Sequence, residues 1–215
     1  MTDIIRRGED GAPLLVLLHG RGADAGDIAG VAAMLPEAWG VVAPNAPFPA
    51  EPWGYGRGYA WYRFLGDRAP EPASFSTSLD AVGELLAFLP PRLGREPGPV
   101  ALGGFSQGGT VATAYALAAS AGELEDATTV PMAINLSGFL AEHPAVRAHA
   151  SPGTRYFWGH GTEDPAIPFA WAVEGRRMLR EAGADLVEHD YAMGHGIVDQ
   201  ELRDLVAWIE GGAAA

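Results

Sequence analysis

Lysine and cysteine are both absent from this chain. Without lysine there is no Schiff-base amine and no Walker-type phosphate ligand. Without cysteine there are no disulfides, no thiolate metal sites and no thiol nucleophile. No apolar run approaches the roughly 18 residues of a membrane span, so no stable membrane insertion is expected. Met1 to Arg7 lacks the charged-then-apolar layout of a signal peptide, and the expected location is cytoplasmic. Positive charge is scarce: 14 arginines face 27 acidic residues, for a net charge of −13. That weighs against nucleic acid as a partner, because such affinity comes largely from clustered cations. A metal site is not expected either, since there is no H-E-x-x-H and no clustered His/carboxylate spacing.

What remains is an ordinary globular composition, 48% hydrophobic over 215 residues, enough to bury a core as one domain spanning 1–215. Strand-like and helix-like segments alternate, which predicts a mostly parallel sheet covered by helices. Strands are expected at Leu14–Leu18, Val41–Ala43, Pro99–Gly103, Met132–Leu136, Arg155–Trp158 and Leu186–Tyr191. Helices are expected at Ala25–Leu35, Phe75–Leu89, Thr110–Ala121, Phe169–Ala182 and Val198–Ile209. Thr77 and nearby serines are available to cap the second helix. The tail Gly211 to Ala215 is expected to fray. One segment fits neither class: 44–73 carries six prolines, four glycines and seven aromatics. A loop that long inside a compact domain is often functional. It leaves a strand at its carboxyl end, where open α/β sheets bind ligands, and is expected to cover a pocket in part. Trp61 and Tyr62 are its candidate substrate contacts, with core packing as the competing role.

The residues that carry chemistry begin with Gly104-Phe-Ser-Gln-Gly108, a match to G-x-S-x-G. In that nucleophile elbow a serine sits at the tip of a tight strand-to-helix turn. Chance alone would supply roughly 0.13 such matches in a chain with 29 glycines and 7 serines. Its company makes it informative. An aspartate follows a later strand and a histidine follows the last, in the order Ser, Asp, His. Ser106 needs a base to take its proton. His195, between the last strand and last helix, is placed to do so. Among the other five histidines, His19 and His160 are expected to fix loops, while His143, His149 and His189 have no supporting context. Asp164 is the expected partner that orients the imidazole, with Glu163 as runner-up. The oxyanion needs N–H donors. Gln107, directly after the serine, supplies one, and Arg21 in the glycine-rich turn His19-Gly-Arg-Gly-Ala-Asp24 supplies the other.

Six segments together resemble the phospholipase/carboxylesterase family of small α/β-hydrolases, which includes the acyl-protein thioesterases. They are Leu18-His-Gly-Arg-Gly-Ala-Asp24, Pro44-Asn-Ala-Pro47, Gly103-Gly-Phe-Ser-Gln-Gly-Gly109, Leu136-Ser-Gly-Phe-Leu140, His160-Gly-Thr-Glu-Asp164 and Gly194-His-Gly196. The resemblance implies a compact α/β-hydrolase fold with helices on both faces of the sheet and a Ser106–Asp164–His195 triad. It implies oxyanion donors at Arg21 and Gln107, and hydrolysis of a small-molecule ester or thioester without a cofactor. Two departures lean toward short-to-medium acyl or aromatic esters. Arginine stands at position 21 where the thioesterases generally carry leucine, and Trp53 to Phe64 does not look like their lipid-binding loop. Phe139 is a further candidate for the substrate pocket; for Leu140 core packing competes equally. The alternatives are a thioesterase or lysophospholipase acting on long acyl chains and, more distantly, a non-catalytic binding protein of the same fold.

Overall fold

The computed structural model describes residues 2–94 and 96–212. In chain order the first half contains β1 (Thr2–Arg6), β2 (Leu14–Leu18), α1 (Ala25–Ala32), β3 (Gly40–Pro44), β4 (Phe48–Pro49), β5 (Tyr59–Ala60), β6 (Phe64–Gly66), β7 (Ala69–Pro70) and α2 (Pro72–Leu93). The second half contains β8 (Val100–Phe105), α3 (Gln107–Ser120), β9 (Met132–Leu136), β10 (Arg155–Gly161), α4 (Phe169–Glu181), β11 (Asp185–Tyr191) and α5 (Asp199–Gly212). Seven strands form one sheet in the order β1-β3-β2-β8-β9-β10-β11. β1 is antiparallel to β3, and the remaining neighbours are parallel.

Alternation along the strands divides the core in two. Leu14, Val16 and Leu18 of β2 lie in one apolar cluster, and Leu15 and Leu17 lie in the other. The same split separates Val42 from Val41 and Ala43, and Tyr156 and Trp158 from Phe157. Successive side chains leave a strand on opposite faces, so a continuous apolar run requires cover on both sides. The first face is covered by α2, α3 and α4, through residues such as Phe75, Val111 and Leu179. The second is covered by α1 and α5, through residues such as Ile28 and Leu205. α3 crosses so close to the sheet that every residue from Gln107 to Ala119 is buried, which is why most of its residues are alanine, glycine and threonine.

Four differences from the sequence-based expectations stand out. α2 starts at Pro72 with Glu71 as its cap residue, and no side chain, Thr77 included, caps it. The Thr77 hydroxyl donates back to Ala73 O instead. α2 also runs through Pro90 and Pro91 to Leu93. An interior proline costs about 3 kcal/mol, but Leu89 and Leu93 are both buried, and each such side chain contributes about 1.5–3 kcal/mol. The 44–73 segment is not irregular throughout. It holds two small antiparallel pairs, β4–β5 and β6–β7. Of the tail, Gly211 and Gly212 continue α5, and 213–215 lie outside the described residues.

α5 also buries a carboxyl group. Glu201 is fully buried and packs over Gly159, where a Cβ would lie 2.0 Å from its Oε1. Among the described residues neither carboxylate oxygen has a well-formed hydrogen bond, and the Val198 backbone N–H is a nearby donor. Burial pushes this carboxyl up to about 8; the Val198 backbone N–H and the Arg176 charge oppose the rise, and the Asp204 charge adds to it. The folded chain therefore holds a proton that the unfolded chain releases near the ordinary glutamate value. Between that value and about 8, folding takes up the proton, so stability falls as pH rises, by up to about 1.4 kcal/mol per pH unit. Relative to Glu201→Gln, we expect the Tm of the wild type to decline from pH 5 to pH 8; the lowered pKa values of His19 and His160 act alike in both proteins and cancel from the comparison. Parallel Tm–pH curves for the two proteins would contradict this.

Candidate active site

The site is assembled at the carboxyl ends of β2, β8, β10 and β11. β8 hands directly to α3 through Ser106, whose φ is 54° and ψ −116°. A residue with a side chain pays strain for that backbone. The Ser106 N–H donates to Leu136 O at 2.8 Å, and its own carbonyl accepts from Thr110 N at 3.0 Å. The turn also requires small neighbours. A Cβ at Gly104 would lie 2.4 Å from the Gly108 carbonyl carbon, and one at Gly108 would lie 2.1 Å from Leu18 O.

His195 lies between Ser106 and Asp164. Its Nε2 is 2.9 Å from Ser106 Oγ, and its Nδ1 is 2.7 Å from Asp164 Oδ2. The other oxygen of Asp164, Oδ1, accepts N–H bonds from Ala166 at 2.8 Å and Ile167 at 2.9 Å. Burial alone would raise the Asp164 carboxyl, but the Ile167 N–H, His195 and the Ala166 N–H outweigh it and hold the group below the usual carboxylate range. An ionised Asp164 accepts from Nδ1–H, which leaves Nε2 free to accept the serine proton. Glu163, the runner-up, is exposed and makes no side-chain contact with this chain of groups. Phe105 packs on the imidazole at a ring-centroid distance of 4.8 Å.

Two further histidines hold the surrounding loops. His19 Nδ1 is 2.7 Å from Gly20 O, and its Nε2 accepts from Ala46 N at 3.0 Å. Burial lowers its pKa, opposed by the Gly20 carbonyl; the neutral ring suits one donor and one acceptor. His160, also lowered by burial, places Nε2 3.1 Å from Ile167 O, on the loop that carries Asp164. Gly20 lies against the elbow: a Cβ there would sit 3.6 Å from the Ser106 Cβ. The loop is fastened to β5 by Gly22 N to Tyr59 O and Tyr59 N to Ala23 O, each 2.8 Å. The backbone N–H groups of Arg21 and Gln107 have no acceptor among the described residues.

A cavity of about 610 Å³ opens beside Ser106. Its wall includes Arg21, Tyr62, Phe139, Gln107 and His195, all expected near the substrate. Phe139 is backed by Phe64 and Trp171, at ring distances of 5.8 and 5.6 Å. Trp61, expected beside them, is not on this wall. Its ring is buried with Nε1 donating to His19 O at 2.9 Å, and the Ser78 hydroxyl donates to Trp61 O. Packing took the side chain that the sequence offered to the pocket. Leu140 likewise belongs to the apolar core.

The far wall comes from residues without a sequence signal for it: Ile28 and Val31 of α1, Ile197, and Leu202 of α5. The Gln107 side chain has a further part. Its Oε1 accepts from Trp61 N at 3.1 Å and its Nε2 donates to Tyr62 O at 2.9 Å, which pins the 61–62 backbone to the elbow.

Comparison with known proteins agrees with this architecture. Acyl-protein thioesterase 1 of Saccharomyces cerevisiae is 27% identical over 128 residues, covering 54% of this chain and 51% of the relative. The match thus spans about half the length of the curated relative. Among solved structures, Zea mays acyl-protein thioesterase 2 superposes with a TM-score of 0.80 at 21% identity, covering 98% of each chain. A Bacillus cereus carboxylesterase superposes with a TM-score of 0.77 at 19% identity, covering 98% of this chain and 92% of that one. These likenesses establish the α/β-hydrolase fold. The sequence profile of the phospholipase/carboxylesterase family matches residues 1–211, and the chain belongs to that family.

Proposed function

We propose that the protein is a serine carboxylesterase acting on small-molecule esters, with the cytoplasm as its setting. The observation that carries this reading is the position of His195, 2.9 Å from Ser106 Oγ and 2.7 Å from Asp164 Oδ2. In this mechanism Ser106 Oγ attacks the ester carbonyl as Nε2 of His195 takes the hydroxyl proton. The N–H groups of Arg21 and Gln107 receive the oxyanion. Collapse expels the alcohol, which takes the proton from His195, and leaves an acyl-serine. His195 then deprotonates a water that attacks the acyl carbon. The acid departs and Ser106 regains its proton. Asp164 stabilises the imidazolium in both halves and stays ionised throughout.

A second reading, hydrolysis of long-chain acyl esters or thioesters, is favoured by the apolar far wall of Ile28, Val31, Ile197 and Leu202. A 4-nitrophenyl ester series from acetate to palmitate separates the two. We expect kcat/KM to peak at short to medium chains. A peak at long chains would select the second reading, and no turnover of any of these esters or of a matched acyl thioester would leave a narrow-specificity hydrolase or a binding protein. No helix among the described residues is long and apolar enough to cross a membrane.

A further inference from the structure

Among the residues lining the active-site cavity, Arg21 is the one arginine. It directly follows Gly20, which lies against Ser106. Its guanidinium rests on the ring of Tyr55, with the central carbon 4.7 Å from the ring centroid. That ring is itself fixed: the Tyr55 hydroxyl accepts from Phe64 N at 2.9 Å. The guanidinium is therefore held on a platform and loses little freedom when it binds a ligand. Stacking uses the face of the guanidinium and leaves its edge N–H donors available.

Arg21 makes no ion pair among the described residues, although other arginines do, such as Arg68 with Glu142 at 2.5 Å and Arg180 with Glu188 at 2.9 Å. The sole carboxylate on the cavity wall, Asp27, is turned to the start of α1, where its Oδ2 accepts from Asp24 N at 2.9 Å. Arg21 also acts on the cavity. Burial raises the Tyr62 phenol strongly, and the Arg21 charge works against that rise. In a chain of net charge −13, bulk electrostatics repel anions. Arg21 is exposed, and its place on the wall of the cavity that also holds Ser106 makes it a local cation there.

We infer that Arg21 is a specificity residue for esters carrying a second, free carboxylate close to the scissile carbonyl, such as half-esters of short dicarboxylic acids. The planar guanidinium pairs with carboxylate through two parallel N–H bonds, and leucine at this position would not. This inference rests on the hydrolase reading above and narrows its substrate class.

The test compares matched esters in wild type, Arg21→Leu and Arg21→Lys. One pair is the 4-nitrophenyl half-ester of hexanedioic acid against 4-nitrophenyl hexanoate. A second pair puts the carboxylate on the alcohol side, 4-acetoxybutanoate against butyl acetate. The readout is the ratio of kcat/KM, anionic over neutral, within each protein. It is independent of any general loss caused by disturbing the loop. We expect at least one pair to give a wild-type ratio above about 10, the scale of a charge-assisted hydrogen bond. Arg21→Leu should bring that ratio to 1 or below, Arg21→Lys should keep part of it, and added salt should lower it in the wild type. Turnover of all four esters with ratios near or below 1, or a ratio that Arg21→Leu leaves unchanged, overturns the anion site and leaves the esterase reading standing. A wild type inert toward every ester overturns the esterase reading and this inference with it.

Discussion

Ser106→Ala is expected to lower kcat for ester hydrolysis by roughly 10⁶-fold, the scale on which losing the nucleophile removes a covalent route. The reasoning starts from the backbone. At φ 54° the serine projects from the elbow toward Nε2 of His195, 2.9 Å away. Alanine carries the same Cβ, so it keeps the same strain and the same contacts to Leu136 O and Thr110 N made by the backbone. Only the hydroxyl is lost. The fold and Tm should therefore stay close to wild type while turnover disappears. Burst kinetics with a 4-nitrophenyl ester and intact-mass spectrometry read the same event, because the acyl adduct should form on wild type alone. A variant that keeps activity within tenfold of wild type would place the chemistry elsewhere.

Asp164→Asn should cost roughly 10⁴-fold in kcat, comparable to the effect of a wrong histidine tautomer in serine proteases. Here the geometry dictates the direction of the error. Oδ1 accepts two N–H bonds, from Ala166 and Ile167. An asparagine must keep its carbonyl oxygen there, because an NH₂ group would face two donors. Its amide N–H then faces Nδ1 of His195, which becomes an acceptor, and the ring proton moves to Nε2. A protonated Nε2 cannot take the proton of Ser106. Because the carboxyl is held below the usual range in the folded state, its ionised form stabilises the fold above the unfolded value, and that contribution fades as pH falls through the folded one. The expected signature is a large loss of kcat near pH 7 with a small change in KM. Unchanged kcat would show that Asp164 does not set the tautomer.

The parts of the molecule that were legible in the sequence are those fixed by local pattern. Leu14–Leu18 is an unbroken apolar run and Met132–Leu136 one broken only by Asn135, and both are strands with those limits. The elbow was legible because close packing of β8 on α3 permits few residue types. Where tertiary contacts decide, the sequence was silent. β1, Thr2–Arg6, has only two adjacent apolar residues, and pairing with β3 makes it a strand. The hairpins within 44–73 are two or three residues per strand and depend on distant partners such as Gln107 and Ala23. The far wall of the cavity was hidden for a related reason. Ile28 and Leu202 carry the same periodic signal as any core residue, and only the crossing of α1 and α5 near the elbow brings them to the pocket.

The backbone of Ser106 separates what keeps this protein folded from what makes it reactive. A side chain at a left-handed position costs about 1–3 kcal/mol, and glycine would avoid most of it at a smaller cost in chain entropy. Ser106→Gly is therefore expected to melt a few degrees above wild type, and a lower Tm would show that the elbow stores no such strain. The inert variant would be the sturdier one. A library screened only for survival of heat would discard this hydroxyl early, so any effort to harden the enzyme has to score turnover alongside melting.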